Sequence, residues 1–188
     1  MNRRPILVAP LFAAMAAAAL IAAVPPAPGD APEVAVTVKE VEPFPYCAVV
    51  HKGPLTEIAG VIGQLIGAMQ TQGLFPQIRG PMVGVYYNVP GQVKDEELSW
   101  EVGFVITAQA APQPPLVKKT WEHRTVAVAL HVGPYAKAGE TIKAIADWLT
   151  AHGYEAAGPI LERYLDMNPA AVKPEALRTE IWVPCLKK

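Results

Sequence analysis

Apolar residues recur at helical spacing in two segments of the chain. The first segment carries Leu55, Ile58, Ile62, Leu65 and Met69, and the second carries Tyr135, Ala138, Ile142, Ile145 and Leu149. Such spacing places each set on one face of a helix, so the pattern predicts helices over 55–72 and 135–152. Gly73 and Gly153 follow at the position where a left-handed residue commonly ends a helix. Each helix needs another element to cover its apolar face.

Around each predicted helix, short segments rich in β-branched and aromatic residues predict strands. These segments lie at 46–51, 81–88 and 98–107 in the first half, and at 125–131, 159–165 and 178–184 in the second. An earlier stretch at 33–41 alternates Val34, Val36 and Val38 with polar neighbours, which is the pattern of a half-buried strand. Each half therefore has the order strand, helix, strand, strand.

The two halves also resemble each other residue by residue. At an offset of 80, the set His51, Gly53 and Pro54 matches the set His131, Gly133 and Pro134. After the helices the offset slips by one or two residues, as expected where the loops of a duplicated unit differ. The sequence therefore predicts an α+β protein in which two helices back antiparallel sheets. Repeat one spans about 34–107 and repeat two about 116–185, with the junction near 111–115.

The first residues of the chain differ in composition from the rest. Residues 1–4 carry two positive charges, and the apolar stretch at 6–24 carries no charge. This order is typical of an export signal, but the stretch is also long enough for a membrane anchor, and a buried helix is the third interpretation. We expect residues 1–29 to be a signal peptide or an anchor. Residues 30–188 would then form a periplasmic, extracellular or membrane-anchored domain.

Charge, cysteine and histidine content exclude some classes of function. The formal charge of −1 gives no basic excess, so we expect no nucleic-acid partner. Cys47 and Cys185 fit an exported protein either as a disulfide or as two buried thiols. His51 and His131 end equivalent strands, and we expect each to bind a backbone group at its turn. No spacing in the sequence is typical of a metal site, so we expect neither a metal nor a cofactor.

Three motifs follow one another in the same order along the domain. They are HxGP before each helix, a Gly-Pro pair before the strand that carries Tyr86 or Tyr164, and the final TEIWVP strand at 179–184. Together they resemble the GyrI-like effector-binding domain, which is also the last domain of many AraC-type and MerR-type multidrug regulators. The resemblance runs from Val34 to Pro184. An export segment stands where those regulators carry a helix-turn-helix, so we do not expect direct control of transcription.

This resemblance implies a fold and a binding site. The fold is a pseudo-twofold tandem of two βαββ units, with a groove between the units that binds small organic molecules, often aromatic and cationic. An acidic residue on the last strand commonly faces the ligand, and the matching residue here is Glu180. Glu180 and Trp182 alternate with apolar residues and therefore share one side of their strand. If the helices cover the other side, this pair faces the groove and suits an organic cation.

Other residues are candidates for the same site. Glu101 is the repeat mate of Glu180 and would strengthen the negative field near the pseudo-axis, unless both acids are solvated. Glu162 and Tyr164 alternate along one strand face, which is polar and belongs either to the groove or to the outer surface. Tyr164 and its mate Tyr86 suit the rim of a site, because a phenol offers a stacking plane and a hydroxyl; a structural role is the alternative. The predicted ligand-binding residues are Glu180, Trp182, Glu101, Tyr164, Tyr86 and Glu162.

The expected function is binding of an apolar, aromatic or cationic organic molecule. The first alternative is a hydrolase of a strained or activated molecule, in which the carboxylate of Glu180 or Glu162 acts with a tyrosine. Some standalone members of the resembled family are hydrolases, although no nucleophile motif occurs here and no catalytic residue is assigned. The second alternative is haem binding through His51 or His131, because the related SOUL proteins share the architecture.

Overall fold

The computed structural model describes residues 34–166 and 168–188. The predicted signal peptide or anchor at 1–29, and the membrane attachment expected through 6–24, lie outside the described residues. Within the two described ranges, no helix is both long enough and apolar enough to cross a membrane.

The described residues form nine strands and two α-helices. The strands are β1 (Thr37–Glu40), β2 (Phe44–Lys52), β3 (Ile78–Tyr86), β4 (Ser99–Ile106), β5 (Val117–Trp121), β6 (Thr125–Val132), β7 (Tyr154–Ala156), β8 (Ile160–Tyr164) and β9 (Arg178–Lys187). The helices are α1 (Ile58–Thr71) and α2 (Ala138–Ala151), each preceded by one 3₁₀ turn. Gly73 and Gly153 follow them with φ of 65° and 71°, which confirms the predicted left-handed positions. β5 and β7 have no counterpart in the prediction.

The strands form one antiparallel sheet in the order β1-β6-β9-β8-β3-β4-β2-β5, and β7 pairs with β9. The two repeats are the two halves of this sheet, and they meet where β3 pairs with β8. The first strand of each half crosses to the other half, since β1 pairs with β6 and β5 pairs with β2. The predicted α+β fold of two βαββ units is confirmed, and the units share a single sheet.

Both helices pack on the same face of the sheet. Val102 belongs to the core under α1 and Ile181 to the core under α2. These two residues are in register across the sheet through Gly84 of β3 and Glu162 of β8, and directly opposed residues share a face. The helix residues with the deepest burial are Leu65 and Met69 of α1 and Ile145 and Leu149 of α2. Burying such a side chain stabilises the fold by about 1.5–3 kcal/mol.

The face opposite the helices curls around another apolar core. Phe44 on β2 stacks on Trp121 of β5 with ring centroids 6.4 Å apart, and it meets Trp182 of β9 edge-on at 6.2 Å. β2 and β9 are separated by three strands in the sheet, which is roughly 19 Å if the sheet were flat. The contact between Phe44 and Trp182 therefore shows that the sheet curves strongly and encloses this core.

The two cysteines are free thiols in the two separate helix cores. Cys47 lies under α1, where its Sγ is 3.4 Å from Met69 Sδ. Cys185 is buried under α2. Of the two alternatives that the sequence left open, the structure therefore has two buried thiols. Burial raises the pKa of both thiols, which keeps them protonated at neutral pH.

Candidate functional site

The pseudo-twofold axis of the sheet passes between Gly84 and Glu162. These two residues are repeat mates, at the offset of 78 that also relates Tyr86 to Tyr164. They also lie directly opposite each other on β3 and β8. One repeat therefore places a carboxylate at the axis, and the other places a residue without a side chain there. Both positions are on the helix side of the sheet.

Glu162, Tyr164 and Tyr86 form a hydrogen-bonded chain at this axis. Tyr164 Oη donates to Glu162 Oε2 at 2.8 Å and lies 2.7 Å from Tyr86 Oη. Because the Tyr164 hydroxyl has only one hydrogen, Tyr86 is the donor in the second bond. Glu162 and Tyr164 are only 7% and 6% exposed. Burial raises the pKa of Glu162, although the nearby tyrosine hydroxyls act in the opposite direction. Burial also raises the pKa of both tyrosines, so they remain protonated donors at neutral pH.

The space between α1 and α2 lies over these residues, because α1 packs on β2 and β4, α2 packs on β6 and β9, and β3 and β8 lie between those strands. On α1, Ala68 lies on the side of the helix that faces the loop at 113–115. The partly buried Ile62 lies on the other side of the buried helix face, and therefore nearer the axis. On the other side, the ring of Tyr135 at the start of the second helical segment meets Tyr164 edge-on, with centroids 5.3 Å apart. We call this space, with Ile62 and Tyr135 on its walls and β3 and β8 as its floor, the inter-helix groove.

Gly84→Ala is expected to disturb the tyrosine pair without changing the charge of the groove. A Cβ at residue 84 would lie 2.8 Å from Tyr86 Oη and 2.9 Å from Tyr164 Oη, which is closer than van der Waals contact allows. We expect the free energy of unfolding to fall by about 1–2 kcal/mol, because overpacking forces side chains out of their preferred rotamers. Urea unfolding of the full chain measures this change.

Gly67→Ala is the matched control for that substitution. Gly67 lies in the exposed part of α1, and a Cβ there would meet no atom within 4 Å. Since alanine favours a helix over glycine, we expect this change to raise the free energy of unfolding by about 0.5–1 kcal/mol. If both substitutions changed the free energy of unfolding by the same amount and in the same direction, crowding at the axis would not be the reason for glycine at residue 84.

Glu101 lies on the other face of the sheet, in a second polar cluster. Its carboxylate is fully buried and accepts from Tyr46 Oη at 2.5 Å, Tyr87 Oη at 2.9 Å and Lys119 Nζ at 2.7 Å. The interpretation of Glu101 as a solvated residue is therefore wrong, because its side chain is 0% exposed.

Glu180 and Trp182 share one face of β9, as predicted, but this face is not the inter-helix groove. Glu180 accepts from the Arg163 guanidinium and lies 3.6 Å from Lys39 Nζ. Trp182 is buried, and the Arg163 guanidinium lies 4.7 Å from its ring centroid. A residue of the chain therefore occupies the cation position that the sequence analysis assigned to a ligand. A ligand-binding role for Glu180, Trp182 and Glu101 stays a prediction.

The two strand-end histidines have different partners. His131 Nδ1 lies 2.9 Å from Thr141 Oγ1, and its Nε2 lies 3.1 Å from Pro134 O. The predicted bond to a turn carbonyl is therefore confirmed for His131, and both of its ring nitrogens are occupied. His51 Nε2 instead lies 2.7 Å from Glu57 Oε2. Within 34–166 and 168–188, no cluster of three or more histidine, cysteine and acidic side chains is placed to hold a metal ion.

The sequence matches a known family over nearly all of the described residues. Residues 35–186 match the model of the GyrI-like small molecule binding domain. The chain belongs to the GyrI-like family. This membership confirms the resemblance found in the motifs. A search of curated proteins gave no significant match.

Several solved structures share the fold of this GyrI-like domain. The EcmrR C-terminal domain matches with a TM-score of 0.71 at 16% identity, over 82% of this chain and 99% of that one. A hydrolase from Listeria innocua matches with 0.63 at 15% identity, over 83% and 94%. SAV2435, in a structure bound to tetraphenylphosphonium, matches with 0.55 at 13% identity, over 81% and 94%. At these identities the matches establish the fold.

Three of the six predicted site residues lie on the helix side of the sheet in this GyrI-like domain. They are Glu162, Tyr164 and Tyr86, whereas the other three lie across the sheet. Two groove residues escaped the sequence analysis, Tyr135 and Gly84. Tyr135 was counted as an apolar helix position. The sequence feature that could have identified it is its place directly after the Gly-Pro pair that precedes the second helical segment. Gly84 is found only by aligning it with Glu162 at the offset of 78.

Proposed function

We propose that the inter-helix groove binds a small organic cation with aromatic groups, and that Glu162 is its counter-ion. The observation that carries this proposal is the unbalanced charge at the axis. Among the described residues, no basic side chain forms an ion pair with Glu162, whereas Glu101 pairs with one basic residue and Glu180 with two. A buried carboxylate without a counter-charge is unfavourable, and a bound cation would compensate it.

The rings around Glu162 suit the same class of ligand. Tyr135 and Tyr164 stand edge to face beside the carboxylate, and Tyr135 is still 38% exposed. A cation placed over a tyrosine ring gains about 0.5–2 kcal/mol, and aromatic groups on the ligand can stack on the same rings. The charge–charge attraction is strengthened in the groove, because a buried site screens it less than water does.

A structural neighbour and the start of the chain support this proposal in different ways. The ligand in the structure of SAV2435, tetraphenylphosphonium, is an aromatic cation of the class that the groove suits. The export-type composition of residues 1–29 supports binding outside the cytoplasm. Fractionation of cells that express the full chain would test the second point, and recovery in the cytoplasm alone would contradict it.

Calorimetric titration of the full chain with two matched ions tests the proposed function. Tetraphenylphosphonium and tetraphenylborate carry the same four phenyl groups but opposite charges. We expect saturable binding of the cation, at least about tenfold tighter than binding of the anion, because Glu162 attracts one ion and repels the other. Equal affinities for the two ions, or no binding of either, would overturn the proposal.

Hydrolysis in the same groove is the second candidate function. It is favoured by the raised pKa of Glu162, because burial lets this carboxyl keep its proton at a higher pH than an exposed glutamate does. Such a group can donate a proton to the leaving atom of an activated substrate while water attacks. Glu180, the other carboxylate predicted for this role, is bound to Arg163 on the opposite face. Turnover that Glu162→Gln abolishes would support hydrolysis, and binding without product would exclude it.

A further inference from the structure

His131 is a buried histidine that the proposed function does not use. It lies near the end of β6 and is 6% exposed. Its Nε2 lies 3.1 Å from Pro134 O, and its Nδ1 lies 2.9 Å from Oγ1 of Thr141, a residue of α2 that is 5% exposed. Since a carbonyl only accepts, Nε2 carries a proton, and Nδ1 of the neutral ring accepts from the Thr141 hydroxyl. One side chain therefore connects β6, the turn before the second helical segment and α2.

Pro134 extends this connection to the inter-helix groove. It precedes the 3₁₀ turn Tyr135–Lys137, and its carbonyl accepts from the His131 ring and, at 2.8 Å, from the backbone N–H of the last residue of that turn. Tyr135 follows directly, and its ring meets the ring of Tyr164 edge-on. Because the peptide bond is planar, holding the carbonyl of Pro134 also fixes the plane that joins it to Tyr135. The two bonds of His131 therefore restrict the direction in which the Tyr135 side chain leaves the backbone.

The first repeat has the same histidine in a different arrangement. His51 is the repeat mate of His131, but its Nε2 lies 2.7 Å from Glu57 Oε2. Three further positions have lost their polar or aromatic group in repeat one, where Val61, Leu55 and Gly84 stand in place of Thr141, Tyr135 and Glu162. A requirement of the fold would apply to both repeats, because the HxGP motif precedes both helices. The bonds of His131 instead occur in the repeat that supplies the groove tyrosine and the carboxylate.

We propose that His131 is a positioning residue of the inter-helix groove, which holds the ring of Tyr135 where it contributes to binding of the aromatic cation. This inference rests on the proposed function. His131 acts through Tyr135 and not on the ligand, because it is buried and both of its ring nitrogens are already bonded. Its effect on affinity therefore cannot exceed that of removing the Tyr135 ring, which is about 2- to 30-fold for a cation over a tyrosine.

A double-mutant cycle tests this role, with the affinity of the full chain for tetraphenylphosphonium measured by calorimetric titration. His131→Phe keeps a ring but removes both hydrogen bonds, and we expect it to weaken binding about three- to tenfold. Tyr135→Leu, which introduces the residue found in the other repeat, should weaken binding at least as much. In the Tyr135→Leu chain, His131→Phe should change the affinity less than about twofold, because the ring that it positions is gone. Effects that multiply in the double variant would overturn the proposal, since His131 would then not act through Tyr135.

Two single variants control for a general effect on the domain. His51→Phe is the matched control, because His51 is the repeat mate of His131 and binds Glu57, so this change should alter the affinity less than about twofold. His131→Gln is the conservative variant, since its amide N–H can donate to Pro134 O in place of Nε2. We expect His131→Gln to bind tetraphenylphosphonium within about twofold of the wild-type chain. Equal losses of affinity in His131→Phe and His51→Phe would contradict the proposal.

A measurement without ligand separates this inference from the proposed function. In a full chain with ¹³C-labelled tyrosine, the nuclear Overhauser effect between the rings of Tyr135 and Tyr164 reports their contact, which the Tyr135→Leu chain identifies. We expect this effect to weaken in His131→Phe and in Thr141→Val, which removes one of the two bonds, and to persist in His51→Phe. If the wild-type chain bound no tetraphenylphosphonium, the proposed function would fail, and the ring contact would still decide whether His131 positions Tyr135. An unchanged contact in both His131→Phe and Thr141→Val would overturn the proposal, and Thr141→Val decides alone if His131→Phe does not fold.

Discussion

Glu162→Gln is expected to weaken the binding of tetraphenylphosphonium by about 10- to 100-fold, which corresponds to about 1.4–2.8 kcal/mol. The substitution keeps the size of the side chain and an acceptor for Tyr164 Oη, which lies 2.8 Å from the carboxylate. It removes the negative charge at the axis, and in a site partly excluded from water that charge contributes more than it would at the surface. Calorimetric titration of the wild-type and variant chains measures the difference.

Glu180→Gln is the control for this loss of affinity. Glu180 lies across the sheet and is bound to Arg163, so its substitution should change the affinity less than about twofold. Glu162→Gln should not act by unfolding the domain. Because the folded state raises the pKa of Glu162, the ionised carboxylate lowers stability at pH above that raised pKa. Below the pKa of an unfolded glutamate both states are protonated and the effect vanishes, so the variant should be at least as stable at neutral pH. Equal losses of affinity in the two variants would contradict the role of the axis.

Lys119→Met is expected to lower the free energy of unfolding by about 2–3 kcal/mol, because it leaves the buried carboxylate of Glu101 without a counter-charge. Glu101 is 0% exposed, and Lys119 Nζ lies 2.7 Å from its Oε2. Two phenols, Tyr46 and Tyr87, still donate to the carboxylate, which keeps the loss below that of a fully unpaired ion. Methionine retains the unbranched length of lysine and therefore leaves no large cavity. Urea unfolding monitored by tryptophan fluorescence measures the effect.

The other repeat provides the matched control for Lys119. Lys39 pairs with Glu180, the repeat mate of Glu101, but Lys39 is 51% exposed and lies 3.6 Å from the carboxylate. Arg163 remains as a second partner. Lys39→Met should therefore lower the free energy of unfolding by less than about 1 kcal/mol. If the two lysine variants lost the same stability, burial of Glu101 would not be the reason for the effect.

The parts of the fold that repeat locally could be predicted from the sequence. Helix α1 follows from its apolar spacing and from Gly73 after it, and the same signals define α2 at the offset of 80. β5 was missed because Lys118 and Lys119 give it little apolar character. Its strand conformation depends on pairing with β2, which belongs to the other repeat. A pairing across more than sixty residues has no local pattern from which it could be predicted.

The site was only partly predictable for a similar reason. Alternation along β9 correctly placed Glu180 and Trp182 on one face, but it could not show what covers that face. The cover comes from the curvature of the whole sheet, which brings Phe44 against Trp182. In the same way, alternation identified Glu162 as a polar position, but its burial depends on the helices that flank the axis. The repeat offset of 78 is the one sequence signal that places Glu162 at the axis.

The pH dependence of tetraphenylphosphonium binding decides whether ionised Glu162 holds the cation. The dissociation constant would be measured between about pH 8 and about pH 5 for the wild-type chain and for Glu162→Gln. Because burial raises the pKa of Glu162, the wild-type affinity should begin to fall at a higher pH than an exposed glutamate would produce. The affinity of Glu162→Gln should stay constant over the same range. Parallel pH profiles for the two chains would show that the cation is bound without this carboxylate.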